Sequence, residues 1–324
     1  MAQAIVLREP GDASVLRLEQ VAVGVPGPGE LRLRQTAIGV NFHDIYVRNG
    51  LYKTLKLPGI PGIEAVGVVE AAGPGVEDFR TGDRVGYVTV EYGACASERL
   101  LPAALAIPLP PWLDDQTAAS VLVRGLTVGM LTHAVHRVTP GAHVLVHAAA
   151  GGVGRMLCQT LRDIGAHVIG TAGSPEKAAV ARAAGCEEVI LYRDEDFVAR
   201  VRAITKGRGV DVVYDSVGKD TFMGSLDCLA MRGHLVNFGQ ASGAVPPFAV
   251  SRLAAGSHTV SRPIVFHYLA VRAERDAMVA VLFDRLARGV FTIEGGQSFP
   301  LAQAGAAHEA LESRRVTGPI VLVP

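Results

Sequence analysis

The stretch HVLVHAAAGGVGRMLCQ, residues 143–159, joins an apolar strand pattern to a helical pattern through a run of small residues. From Ala149 to Gly154 it follows the template G-x-G-x-x-G, with Ala149 in the first glycine position. In such a loop a pyrophosphate can approach the backbone, and the free N–H groups at the start of the helix bind it. Small residues also allow tight packing of a helix on a strand, but the flanking strand and helix and a second strand further on favour a dinucleotide site. The loop residues predicted to bind the cofactor are Ala150, Gly151, Gly152 and Val153.

The end of the next strand indicates which dinucleotide binds. Sites for NAD usually carry Asp or Glu there, where the carboxylate holds the ribose 2′-hydroxyl. This chain reads HVIGTAGSPEK over residues 167–177, so hydroxyl groups and a lysine follow the strand. Hydrogen-bond donors and a cation suit a 2′-phosphate, and NADPH is therefore predicted. Glu176 adjoins Lys177 and argues against this choice. The alternative for Lys177 is a solvated residue on the helix surface. The predicted ligands in this region are Thr171, Gly173, Ser174 and Lys177.

Strand and helix patterns alternate on both sides of this loop. A helical pattern covers residues 114–135, and a helix at 269–288 and a strand at the IVLV tail follow the alternating region. This alternation predicts a parallel sheet with helices on both faces. The predicted strands lie at 143–148, 167–173, 188–192, 210–216, 234–239 and 258–262, and the helices between them at 153–165, 174–184, 194–205 and 219–233.

Residues 1–110 have a different pattern. Short runs rich in Val and Ile are separated by turn sequences such as PGPGE and LPGIPG. This pattern predicts a β-rich, barrel-like domain. A chain of 324 residues is long for a single core, so two domains are expected.

Composition excludes several classes of protein. Lys and Arg together number 31, as do Asp and Glu, so no net charge attracts nucleic acid or an anionic membrane. The four cysteines contain no C-x-x-C pair and are expected to be reduced and packed, as in a cytoplasmic protein. No export signal is visible at the N-terminus, and no apolar run approaches the ~18–20 residues that span a bilayer.

The run GVNFHDIYVRNGLY, residues 39–52, carries the second candidate site. It holds five polar or aromatic side chains within a short, otherwise apolar region. These groups could hold a metal, do chemistry without one, or simply end a strand. They are Asn41, His43, Asp44, Tyr46 and Tyr52.

Six motifs in one order resemble the zinc-free, zeta-crystallin-like quinone oxidoreductases of the medium-chain dehydrogenase/reductase superfamily. The resemblance spans the whole chain and implies an α/β fold, in which a Rossmann doubly wound sheet at 125–265 binds NADPH. A GroES-like β-barrel catalytic domain would comprise 1–124 and 266–324, with the active site in the cleft between the two domains. The motifs are NFHDIYVRNGLY, GIEAVGVVEAAGPGVEDFRTGDRV, RGLTVGML, HAAAGGVG, VYDSVGKDTF and HEALESR.

The zinc alcohol dehydrogenases of the same superfamily are similar but hold a metal through Cys and His. Where they carry the first cysteine this chain has Asn41, and where they carry the G-H-E histidine it has Ile63. Neither side chain replaces a thiolate or imidazole as a zinc ligand. No metal site is therefore predicted.

The resemblance implies that Asn41, Asp44, Tyr46 and Tyr52 line a pocket beside the nicotinamide. Quinone oxygens gain negative charge as hydride arrives, and hydrogen-bond donors can stabilise that charge. The two tyrosines can donate or stack on a quinone ring, and the alternative for them is packing at an interface. Asn41 is also expected to contact the nicotinamide or its ribose.

His43 takes the place of a Ser or Thr that relays protons in the zinc enzymes. A histidine could supply a proton to the reduced quinone. The reading preferred from the sequence is a surface histidine, because an apolar residue often stands at this position in similar quinone reductases.

The resemblance adds further cofactor contacts, all but Arg314 in the second domain. All except Ile264, Val265 and Arg314 are expected at or just past the carboxyl ends of strands. Arg314 would require the C-terminal segment to fold back onto the first domain. These residues are Thr127, Tyr192, Ser216, Val217, Phe238, Gly239, Ile264, Val265 and Arg314.

The implied activity is transfer of hydride, or of single electrons, from NADPH to a quinone or similar conjugated carbonyl. One alternative is an enal or enone reductase that acts on a carbon–carbon double bond. Another is an NADPH-binding structural or RNA-binding protein, against which the neutral charge argues. The resemblance also implies a homodimer, formed through the edge strand at 258–262.

Overall fold

The computed structural model describes residues 1–313, 316 and 318–324, and contacts divide the chain into two units. The first comprises Met1–Val123 and Ile293–Pro324, and the second Arg124–Thr292. The second unit therefore ends at residue 292, whereas the sequence analysis expected the second domain to end at residue 265. The helix at 272–287 accounts for this difference because it packs within the second unit.

Strands and helices cover most of the chain, and they are numbered here in chain order. The strands are β1 (Ala2–Leu7), β2 (Leu16–Val21), β3 (Glu30–Val40), β4 (Glu64–Ala72), β5 (Arg84–Val88), β6 (Glu98–Pro102), β7 (Ile107–Pro108), β8 (His143–Val146), β9 (His167–Ala172), β10 (Glu188–Leu191), β11 (Val210–Asp215), β12 (Leu229–Asn237), β13 (Thr259–Ser261), β14 (Gln297–Pro300) and β15 (Ile320–Val323). The helices are α1 (Phe42–Arg48), α2 (Asp115–Gly129), α3 (Gly152–Ile164), α4 (Pro175–Ala183), α5 (Phe197–Ile204), α6 (Phe222–Asp227), α7 (Val265–Leu269), α8 (Arg272–Ala287) and α9 (Ala304–Glu312).

The first unit is built on a seven-stranded sheet in the order β14-β15-β3-β4-β5-β7, with β6 beside β3. Its pairs are antiparallel except β14 with β15, and β1 pairs with β2 separately. Along β3 the side chains of Leu31 and Leu33 are buried, whereas Arg32 faces Glu98 across the strand pair. This alternation follows from the two-residue period of a strand. Pairing of β15 with β3 brings the C-terminal segment into the first unit, as predicted.

The second unit contains the predicted parallel sheet, in the order β10-β9-β8-β11-β12-β13. Its core contains Leu145, Ile169 and Val213 from the strands and Phe222 from α6. The chain order reverses between β8 and β11. Open α/β sheets bind ligands beyond the carboxyl ends of their strands at such a switch point.

Two predicted elements differ from the structure. The helix expected over 219–233 ends at residue 227, and Leu229 already pairs with Val210 as part of β12. Pairing between distant strands overrides the local helical pattern there. The helix expected over 269–288 corresponds to α8, which begins only at Arg272 because Val271 is extended with ψ of 109°.

Helix α2 continues as a π-helical turn, so one long helix extends over Asp115–Val135. By length and composition this helix of the described chain is apolar enough to cross a membrane, although no such run was expected from the sequence. Its most apolar window is 78% buried inside the protein. Burial of this kind is typical of a core helix.

A buried glutamine connects three segments of the first unit. Gln35 on β3 is 3% exposed, and its Nε2 donates to Ala94 O at 3.0 Å and to Ala96 O at 2.5 Å. The Tyr87 hydroxyl donates to Gln35 Oε1. One amide therefore satisfies buried groups that have no access to water.

We expect Gln35→Leu to lower the free energy of unfolding by about 3 kcal/mol, because it leaves the buried Tyr87 hydroxyl and two carbonyl groups without these bonds. Urea denaturation of the two proteins measures the difference. The control is Gln20→Leu on the exposed face of β2, for which a change within about 0.5 kcal/mol is expected. Equal stability of Gln35→Leu and the parent would contradict the account.

Candidate active site

The loop after β8 presents backbone donors at the start of α3. Ala148 has a φ of 51° and turns the chain out of the strand, and Gly151 N–H donates back to Ala148 O at 2.9 Å. The N–H groups of Gly152, Val153 and Gly154 lie in the first turn of the helix, where an α-helix offers them no acceptor. Together with the helix dipole, these donors can bind a pyrophosphate, which is the role predicted for the loop.

Two glycines of this loop lie where a side chain would collide. A Cβ on Gly154 would lie 2.3 Å from Ala148 O, so glycine is needed for the close approach of helix and loop. A Cβ on Gly152 would lie 3.1 Å from Nε of Arg124, and Arg124 is 8% exposed. A guanidinium group therefore packs against the predicted phosphate loop. Sequence reasoning missed Arg124, although it begins the motif RGLTVGML that was considered for Thr127.

Four predicted cofactor ligands come together beyond β9. A Cβ on Gly173 would lie 2.7 Å from the Tyr192 hydroxyl. The Ser174 hydroxyl caps α4 by accepting the Lys177 N–H at 3.4 Å. The Ser174 hydroxyl also hydrogen-bonds Glu176, and this bond lowers the pKa of the Glu176 carboxyl. A charged carboxylate thus accompanies the lysine, and it would oppose binding of a phosphate at this place.

Thr171 does not fit its predicted role as a cofactor ligand. It is 1% exposed, and its Oγ1 lies 3.1 Å from His147 Nδ1 and accepts the Ala148 N–H at 3.3 Å. The other nitrogen of His147 lies 2.9 Å from Ser225 Oγ, and burial lowers the pKa of this histidine. Thr171 therefore supports the loop from inside the protein.

The loops after β11 and β12 meet at a buried aspartate. Asp215 is 0% exposed; its Oδ1 accepts the Val217 N–H at 2.7 Å and its backbone oxygen accepts the Phe238 N–H at 2.8 Å. A Cβ on Gly239 would lie 2.6 Å from Ser216 O. The four cofactor residues predicted here are therefore adjacent at the carboxyl edge of the sheet.

The remaining predicted cofactor residues have different surroundings. Thr127 lies inside α2, so the expectation that it follows a strand is wrong. Ile264 caps α7 and Val265 is its first residue, so both come just past β13, contrary to expectation. Arg314 lies outside the described residues.

In the first unit, α1 begins directly after β3 and carries the second predicted site. Asp44 Oδ2 accepts the Asn41 N–H at 2.8 Å and so caps the helix. Asp44 is 1% exposed, which is inconsistent with its predicted position on the wall of a pocket. Its Oδ1 is buried with no hydrogen-bond partner among the described residues, and burial raises the pKa of Asp44 to about 7.

An aromatic cluster lies on one side of α1. The Tyr46 and Tyr52 rings meet edge to face with centroids 5.1 Å apart, and the Tyr52 and His43 rings are 5.4 Å apart. His43 Nε2 lies 3.0 Å from the hydroxyl of Tyr92, which also hydrogen-bonds Thr54. The structure thus groups three predicted residues with Tyr92 and Thr54, which sequence reasoning missed because they come from separate loops.

His43 is half-buried, so the expectation of a surface histidine is wrong. Burial lowers the pKa of His43 to about 4. Near neutral pH the ring is therefore neutral, which argues against His43 as a proton donor.

The positions that would hold zinc do not suit a metal. Asn41 Nδ2 donates to Glu64 Oε1 at 2.6 Å, and Ile63 is apolar and 2% exposed. Within the described residues, no group of three His, Cys, Asp or Glu side chains could hold a metal ion. The side chains here are arranged to hydrogen-bond one another.

Comparisons with known proteins agree with this two-part architecture. A family model described as an alcohol dehydrogenase GroES-like domain matches residues 27–110, and one described as a zinc-binding dehydrogenase matches residues 152–283. A 2-haloacrylate reductase from Burkholderia sp is 45% identical over 100% of this chain and 99% of its own length. A quinone oxidoreductase from Pseudomonas aeruginosa is 43% identical over 100% of both chains.

A solved structure is also similar throughout. The crystal structure of Escherichia coli quinone oxidoreductase complexed with NADPH superposes with a TM-score of 0.96 at 41% identity, over 100% of both chains. The predicted combination of a GroES-like domain and a Rossmann-type domain is confirmed.

The low pKa of His43 predicts a pH-dependent stability. In the unfolded chain His43 binds a proton near pH 6.5, whereas in the folded chain it does so only near pH 4. The folded state therefore loses stability relative to the unfolded state as the pH falls from 6.5 towards 4. Between about pH 7 and about pH 5 the parent is expected to lose about 1–2 kcal/mol more stability than His43→Gln does. Urea denaturation at both pH values measures this difference, in which other titrating groups cancel.

Tyr92→Phe is the matched control. It removes the hydroxyl beside His43 but keeps the ring that helps to bury it, and burial is the cause of the low pKa. Its pH dependence should therefore resemble the parent's. An equal pH-dependent loss in the parent and in His43→Gln would contradict the assignment.

Proposed function

The chain belongs to the quinone oxidoreductase family of the medium-chain dehydrogenase/reductase superfamily, and on this premise we propose that it reduces quinones with NADPH and without a metal. The observation that carries the proposal is the loop after β8. It combines the backbone N–H groups of Gly152, Val153 and Gly154, in the first turn of α3, with a guanidinium group that packs against Gly152. NADPH bound there would supply the hydride.

The second unit would hold the cofactor at three places along the sheet edge. The start of α3 and Arg124 would hold the pyrophosphate. Ser174, Lys177 and Tyr192 would surround the 2′-phosphate of NADPH, which is the cofactor in the similar Escherichia coli structure, while the charge of Glu176 opposes a phosphate there. The loops after β11 and β12 would contact the nicotinamide half.

The aromatic cluster of the first unit would bind the acceptor. Tyr46 and Tyr52 offer flat, half-buried rings on which a quinone can stack, and phenolic groups that can donate to its oxygens. Hydrogen-bond donors stabilise the charge that develops on a quinone oxygen. Because a quinone accepts hydride readily, these donors would serve in place of a bound cation.

A second candidate function is supported by the Burkholderia relative. That protein is named for the reduction of 2-haloacrylate, whose reactive group is a carbon–carbon double bond beside a carboxylate. The same cofactor site and the same metal-free acceptor site could serve this reaction. The two candidates differ only in the acceptor, so a direct comparison of acceptors separates them.

The purified protein is expected to oxidise NADPH when 1,4-benzoquinone is present and not when it is omitted. With 2-chloroacrylate and 2-cyclohexen-1-one we expect kcat/KM to be at least about tenfold lower. Absorbance of NADPH follows the rate, and chromatography identifies the product. Faster conversion of 2-chloroacrylate to its saturated product would favour the second candidate, and no turnover with any acceptor would refute both.

The same assay tests the cofactor. Lys177→Ala is expected to raise KM for NADPH about tenfold with little change in kcat, because it removes a cation from the 2′-phosphate. Arg182→Ala removes a charge from the exposed side of the same helix and serves as control. An unchanged KM in Lys177→Ala, or equal use of NADH by the parent, would refute the choice of NADPH.

The protein is also proposed to form a homodimer through β13, which pairs with β12 on one side only in the described sheet. An open strand edge can pair with a second copy. Sedimentation at micromolar concentration is expected to give the mass of a dimer, and Val260→Pro, which removes a donor from the edge, to shift it towards the monomer. A monomeric parent protein would refute this proposal.

A further inference from the structure

One face of the sheet in the second unit carries a histidine beneath the turn that follows α2. His234 lies on β12, where it pairs with Val212 on β11 and with Thr259 on β13. Paired residues point to the same face, so His234 shares its face with Tyr214, two residues further along β11. The Tyr214 hydroxyl donates to Leu131 O at 3.0 Å, which places the π-helical turn against this face.

The chain leaves that turn at His136 and there meets His234. The Nδ1 atoms of the two rings are 3.3 Å apart, and the ring centroids are 5.4 Å apart. Each Nδ1 therefore lies on the side of its ring that faces the other ring. Two neutral rings in this arrangement share one N–H···N hydrogen bond, so the lone pair of the accepting nitrogen is directed at the contact.

Ser261 on β13 determines which nitrogen of His234 accepts. His234 Nε2 lies 2.8 Å from the Ser261 hydroxyl oxygen. When Nε2 donates its hydrogen to that oxygen, Nδ1 is left as the nitrogen with the free lone pair. Histidines that bind a metal usually donate their other ring N–H to such a partner. His234 thus already has the second hydrogen bond that is typical of a metal ligand.

Both rings are neutral near pH 7. Burial lowers the pKa of His234 to about 4, and the neighbouring His136 adds to this effect. Burial also lowers the pKa of His136, against the charge of Asp211, which raises it. The neutral imidazole is the form that binds a metal, so an ion here does not compete with protonation. The charge of Asp211 favours a cation, although this carboxylate is paired with Arg208.

We propose that His136 and His234 bind a zinc ion through their Nδ1 atoms. Zn–N bonds are about 2.0–2.1 Å long, so two nitrogens on a tetrahedral zinc ion lie about 3.3–3.4 Å apart. The spacing of the two Nδ1 atoms is 3.3 Å. His136 would carry its remaining proton on Nε2. His136 is half-buried, so solvent can reach the pair from its side and water would complete the coordination.

This site is distinct from the positions that hold zinc in the related alcohol dehydrogenases. Both histidines lie in the second unit, whereas Asn41 and Ile63 lie in the first. The pair supplies two protein ligands, fewer than the groups of three considered above, so moderate affinity is expected. Bound zinc would connect the chain after α2 to β12. The proposal does not rest on the proposed function.

The experiment is a calorimetric titration of the protein, without a histidine tag, with zinc chloride. One ion per chain is expected to bind, with a dissociation constant on the order of 1–10 µM. His136→Ala removes one of the two ligands and is expected to weaken binding at least about thirtyfold. Ser261→Ala keeps both ligands but removes the partner of His234 Nε2, and is expected to weaken binding about tenfold.

His267→Ala is the matched control, because it removes an exposed histidine on α7 in the same unit. It should bind zinc like the parent. Thermal unfolding without zinc shows whether each variant folds, and His136→Gln replaces His136→Ala if the alanine variant does not. Zinc at about 100 µM is expected to raise the Tm of the parent and of His267→Ala, but not that of His136→Ala.

Three results would overturn the proposal. The first is no binding by the parent up to about 1 mM zinc. The others are equal affinity in the parent and in His136→Ala, and an equal loss of affinity in His267→Ala, since both would indicate adventitious binding elsewhere. None of these measurements uses NADPH or a quinone, so failure of the proposed function is recognised separately.

Discussion

The backbone of α3 lies so close to the turn after β8 that no side chain fits between them. A Cβ at Gly154 would stand 2.3 Å from Ala148 O, and the backbone at Ala148 is itself in the left-handed region. This contact holds the first N–H groups of α3 at the carboxyl edge of the sheet. Similar closeness between Gly239 and Ser216 brings the last two loops together. The nucleotide side of the protein is thus built mainly from backbone positions, which need no reorganisation to receive a phosphate.

The first unit is organised instead by buried polar side chains. Gln35 and Glu64 each join three segments through hydrogen bonds that water cannot replace. A hydrogen bond to a charged group contributes about 1.5–3 kcal/mol, so the bond from Asn41 to Glu64 helps to hold the start of α1 against β4. Asp44 restrains the same residue through its backbone.

Burial also changes what these groups can do chemically. His43 and Asp44 are neighbours in the sequence, but burial lowers the pKa of the histidine and raises that of the carboxyl group. In both cases the neutral form is favoured because a low-dielectric surrounding penalises charge. The proposed acceptor site would therefore rely on neutral hydrogen-bonding groups and aromatic rings. This agrees with acceptors, such as quinones, that are reactive enough to need no cation.

Several residues show which features could be predicted from the sequence and which could not. The parallel sheet followed from apolar runs such as residues 143–148, and the cap of α4 from Ser174 and Pro175. Thr171 was misjudged because its position after a strand resembles that of a ligand, whereas its side chain turns inward to His147. Tyr92 had no local signal, since only the fold carries it to His43.

Local patterns were sufficient for the class of fold, the order of most elements, the turn from β8 into α3 and the apolar or amide side chains at positions 41 and 63. Periodicity, capping and close packing of small residues involve only a few neighbouring residues, so they can be recognised in the sequence. Contacts between distant residues were needed for the burial of Thr171 and Asp44, the low pKa of His43 and the bond from Asn41 to Glu64. These properties depend on which groups surround a side chain and exclude water from it, and that arrangement exists only once the strands and helices have packed.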